Sequence, residues 1–75
     1  MSVQTLSDGQ QVETRNISKV ELFEQDQNLL VTLKTGHLLG VHGSGVVKDA
    51  DLLDKMNEIN HLTYPIYRKS KSSNG

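Results

Sequence analysis

The chain changes rhythm at Gly43-Ser44-Gly45. Before that point apolar residues come in short runs and alternations, the spacing of β-strands lying on a core. After it they fall at Leu52, Leu53, Met56, Ile59 and Leu62, the spacing of one helix face. The pattern predicts an α+β fold: a small antiparallel sheet of three to four strands, followed by one amphipathic helix over about residues 49–62. A strand meander is the simplest arrangement, and an SH3-like, partly closed barrel is one form it can take.

Strand by strand, Ser7-Asp8-Gly9 reads as a turn and Gln10 to Thr14 as a short edge strand whose one apolar side chain is Val12. Ile17 to Glu24 follows, with Val20 and Leu22 on one face and Lys19, Glu21 and Phe23 on the other. Gln25 to Asn28 makes a polar connection. Leu29 to Lys34 points Leu29, Val31 and Leu33 one way and Leu30, Thr32 and Lys34 the other. Thr35-Gly36 is a tight turn. His37 to His42 returns as a third strand, and Gly40 at its middle predicts a bulge or a close backbone approach. In the helix, Asp49 is the expected N-cap, and Leu52, Met56 and Ile59 form the expected buried stripe, flanked by Leu53 and Leu62. Pro65 is the expected stop, and Pro65 to Arg68 a last edge strand. The expected core is Val20, Leu22, Leu29, Val31, Leu33, Leu39, Val41, Leu52, Leu53, Met56, Ile59 and Leu62.

Seventy-five residues make one small domain, with residues 1–5 and 69–75 as expected flexible tails. A chain this short stabilises itself with disulfides, metal or self-association. It has no cysteine, and its histidines do not form a ligand set. His37 and His42 are five apart and face opposite sides of a strand, while His61 falls on the polar side of the helix. No metal and no cofactor are therefore expected, and self-association, as a homodimer, is.

Eight basic and nine acidic residues give a net charge of -1, which supplies no long-range pull toward nucleic acid or an anionic membrane. No apolar run approaches the ~20 residues of a membrane span. Residues 1–5 lack the features of a secretory signal. A cytoplasmic protein is the expectation.

Three surfaces are candidates for function. The first is a partner or self-association face built on Phe23, Leu30 and Leu38. One helix covers only one side of a sheet, so these residues are left for another surface. The second is a nucleic-acid contact through Tyr64, Tyr67, Arg68, Lys69 and Lys71, with bases stacked on the tyrosines. The third is an anion loop at Gly43, Ser44, Gly45 and Lys48, at the helix start. It lacks the Gly-Lys-Ser/Thr of a phosphate loop, and Asp49 and Asp51 oppose an anion there. No serine, histidine and carboxylate set has the pattern of a nucleophilic triad. The sequence reading is thus a non-enzymatic protein–protein interaction module of accessory, adaptor or inhibitor type. Nucleic-acid binding and small-molecule or phosphate sensing are the alternatives.

Overall fold

A computed structural model describes residues 3–69. The chain runs β1 (Val3–Thr5), β2 (Gln11–Glu13), a 3-10 turn (Thr14–Asn16), β3 (Ile17–Phe23), β4 (Asn28–Leu33), β5 (Leu38–His42), α1 (Val46–Ile59) and β6 (Ile66–Lys69). The expected α+β class holds. The main sheet is mixed, in the order β5-β4-β3-β6, and it does not close into a barrel. β3, β4 and β5 form the antiparallel meander. β6 returns after the helix to the far edge and pairs parallel with β3. A meander predicts only antiparallel neighbours. The helix between β5 and β6 makes the last connection a crossover, and a crossover permits a parallel strand.

β1 and β2 form a separate two-stranded sheet. Val3–Thr5 is therefore a paired strand where a flexible tail was expected, and Val12 turns inward from β2 without joining the main sheet. Leu6, which sequence spacing left unassigned, is also buried.

The core lies between one face of the main sheet and the helix. Val20, Leu22, Leu29, Val31 and Val41 supply the sheet side, and Ile17 joins them. The helix side is Val46, Ala50 and Leu53, with the buried carboxylate of Asp49 in the same row. This differs from the predicted stripe. Ile59 is 61% exposed and Leu52 36% exposed, and Met56 is half-buried. At 100° per residue these three lie roughly a third of a turn away from the buried row. Leu33, Leu39 and Leu62 pack partly against the core.

The helix ends differ from expectation for local reasons. It begins at Val46, with Gly45 as N-cap. Asp49 thus sits inside the first turn, and its carboxylate serves another segment. At the other end the helix stops well before Pro65. His61 takes a left-handed φ of 55°; its N–H donates to Glu58 O (3.3 Å), and that of Leu62 donates to Asn57 O (2.9 Å). These are the paired bonds of a Schellman close, with a histidine where glycine is usual.

Candidate functional site

Strand alternation gives the main sheet a second face that no element among the described residues covers. Register places Leu38, Thr32 and Lys19 in one row across it. Gly40, Leu30, Glu21 and Tyr67 form the next row, and His42, Asn28, Phe23 and Lys69 the third. The predicted trio Phe23, Leu30 and Leu38 therefore does share one face, and Tyr67 joins it. Leu38 stands 65% exposed and Tyr67 48% exposed, while Phe23 and Leu30 are half-buried.

Gly40 gives this face its relief. The pairing of β4 with β5 runs through Leu30 opposite Gly40 without a shift, so the expected bulge is absent. A Cβ added there would meet nothing within 4 Å among the described residues, so no backbone of theirs crowds that side of the strand. The missing side chain instead opens a hollow of about 340 Å³, lined by Phe23, Asn28, Leu30, Gly40 and His42. His42 Nδ1 and Asn28 Oδ1 are hydrogen-bonded at its rim. One outer face thus carries both a projecting leucine and a hollow with apolar walls.

The edge of β5 beside the hollow is partly occupied. Leu33 N donates to His37 O (2.9 Å) and Gly43 N to Gln27 O (2.8 Å). Alternation then turns the N–H and C=O of Leu38, Gly40 and His42 outward. The Gly40 carbonyl accepts from Gln10 Nε2 at 2.8 Å.

The glycine loop is locked into the fold. A Cβ on Gly45 would lie 2.6 Å from Ser7 Cβ and 2.8 Å from Ser7 Oγ. The Ser7 N–H donates to both Asp49 carboxylate oxygens at 3.1 Å, and its hydroxyl donates to Oδ2 at 2.7 Å. The N–H groups of Val46 and Asp49 are taken by the carbonyls of Gly43 and Gly45. The buried Asp49 carboxylate at this helix start opposes a second anion there. Ser44 and Lys48 are exposed on either side of it.

The nucleic-acid candidates are dispersed. Tyr64 is buried, and its hydroxyl donates to Leu53 O at 2.7 Å, so its ring presents no stacking face. Burial, then the nearby Asp54 charge, pushes its phenol up to about 12. Arg68 reaches Asp51 at 2.7 Å and Lys69 reaches Glu21 at 3.5 Å. Tyr67 lies on the outer sheet face. Lys71 falls outside the described residues.

His37, His42 and His61 are exposed at three separate places: the β4–β5 turn, the outer face and the helix C-terminus. Among the described residues no cluster of three or more His, Asp or Glu is placed to hold a metal, and no helix is long and apolar enough to cross a membrane. No family model, curated protein or solved structure matches this chain.

Sequence spacing missed two features. One is the Leu52, Met56 and Ile59 row, which its spacing places in the core and which instead borders solvent. The other is a cleft at the helix C-terminus. It combines residues distant in the chain, so no local motif marks it.

Proposed function

We propose that the protein is a non-enzymatic interaction module that self-associates through the outer face of its main sheet. In the dimer, Leu38 of each copy seats in the hollow beside Gly40 of the other. The observation that carries the reading is the pairing of knob and hollow on one face. A surface holding both can meet its own copy about a two-fold axis and fill both hollows at once. Two further points support it. A domain this small gains from self-association. The face also mixes charges, Lys19 and Lys69 against Glu21, so two copies meet without a single-sign field. A second protein acting as partner would use the same face, displacing the second copy.

Sedimentation equilibrium over a wide concentration range tests this. The wild type is expected to dimerise reversibly, and Leu38→Ser and Gly40→Val are each expected to shift the chain to monomer. A wild type that stays monomeric at the highest attainable concentration overturns the proposal. So does a dimer that both variants leave intact.

A further inference from the structure

The helix C-terminus borders a cleft whose charge departs from the rest of this nearly neutral chain. The cleft, about 250 Å³, is lined by Arg15 and Lys34 with His61, Ser18 and Thr63 around them, and Tyr64 and Leu62 at its base. No acidic side chain lines it. Among the described residues, neither Arg15 nor Lys34 forms an ion pair.

The fold brings these groups together from three places. The 3-10 turn carries Arg15 just before β3, and Lys34 follows β4. Lys34 N donates to Asn16 O at 2.7 Å, which fastens the two segments side by side. His61 arrives from the helix end, held by the left-handed turn described above. One simple account is that the cations answer the partial negative charge of the helix C-terminus. Yet three carbonyls near this end take backbone donors, Met56 O from Asn60 N, Glu58 O from His61 N and Asn57 O from Leu62 N, and among the described residues neither cation bonds to a helix carbonyl. Two unpaired cations and two hydroxyls thus remain, facing one concave space.

We infer that this cleft is a binding site for a phosphate dianion, free or as a small phosphomonoester. An arginine fork matches two phosphate oxygens, a lysine ammonium serves as a point charge beside it, and the Ser18 and Thr63 hydroxyls have protons to donate. The site is separate from the hollow of the dimer proposed above, since the two share no lining residue.

The test is amide chemical-shift titration of the full chain with inorganic phosphate and, separately, with glycerol phosphate. Sodium chloride at matched ionic strength is the control. Saturable shifts confined to residues 14–18, 34 and 61–64 are expected, and chloride should not produce them. Arg15→Gln and Lys34→Gln should each weaken binding about tenfold, the loss of one charge-assisted contact. Lys34→Arg should retain it. Both glutamine substitutions are on exposed side chains, and unchanged dispersion elsewhere in the spectrum confirms the fold. Tighter binding of glycerol phosphate identifies an ester ligand; equal binding identifies free phosphate. Shifts that do not saturate, that spread over all the cationic residues, or that survive in both glutamine variants overturn the site.

Discussion

The two faces of the four-stranded sheet are made from the same four strands by alternation, and they differ in almost everything else. The inner face carries Val20, Leu22, Leu29, Val31 and Val41, each at most 1% exposed under the helix. The outer face carries Leu38 in the open, a hollow at Gly40, and half-buried Phe23 and Leu30. An inner residue therefore answers to packing, where a lost methylene leaves a cavity. An outer residue answers to whatever meets the face, and changing it should leave the folded monomer nearly as stable as before. The sharpest way to break that contrast is Leu53→Ala. Leu53 is fully buried against the inner face, and its truncation should cost about 2–5 kcal/mol by denaturant unfolding. A much smaller loss would mean the helix does not seal the inner face.

The seal also has a polar component. Asp49 is buried, and three hydrogen bonds to Ser7 tie the N-terminal segment to the helix. Asp49→Ala strands the Ser7 donors, and a loss of about 1–3 kcal/mol is expected. Amide exchange should rise in β1 and β2 while the outer strands of the main sheet keep their protection. Equal loosening everywhere would show that the N-terminal pair is not a separate attachment.

Tyr64 sharpens the comparison through pH. Its phenol is neutral in the folded chain and titrates near 12, against about 10 when unfolded. Below pH 10 both states hold the proton and the stabilisation is complete. As pH rises from about 10 to about 12 the unfolded chain loses its proton first, so stability falls; above that the contribution is gone. Tyr64→Phe should remove that alkaline fall. It should also cost about 1 kcal/mol at neutral pH through the lost bond to Leu53 O. Parallel alkaline curves for the two proteins would contradict the burial assigned to Tyr64.

What the sequence made legible follows the same division. Strands β3 to β5 and their facing were readable because their period of two is clean: Leu29, Val31 and Val41 are buried, and Leu30 and Leu38 face away. The candidate face therefore emerged from alternation alone. The helix misled because apolar residues occupy more than one side of it. Val46 and Ala50 are small and lie outside the Leu52-Met56-Ile59 row, yet they fit against the sheet while the bulkier row borders solvent. Asp49 looked like a cap because its role depends on Ser7, 42 residues away. The parallel strand β6 and the cleft at Arg15 and Lys34 were hidden for the same reason, as each depends on pairing between distant segments.

His61 offers a smaller and opposite effect. It holds a left-handed φ of 55° at the helix close, where a Cβ is a steric cost. His61→Gly should stabilise the fold by up to about 1 kcal/mol. A loss would mean that the imidazole makes a compensating contact in the cleft.

The smallest expected change in stability comes from the outer face, and it carries the most information about function. Gly40 lies in mid-strand, without a positive φ and with open space where a Cβ would go. Gly40→Ala should stabilise the monomer by about 0.4–1 kcal/mol by restricting the unfolded chain. The added methyl begins to fill the hollow that the proposed dimer needs, so the same substitution should weaken self-association. A gain in monomer stability with a loss of dimer separates the two faces in one variant. A gain in both would place the contact elsewhere, with the exposed Leu52 and Ile59 row of the helix as the next surface to substitute.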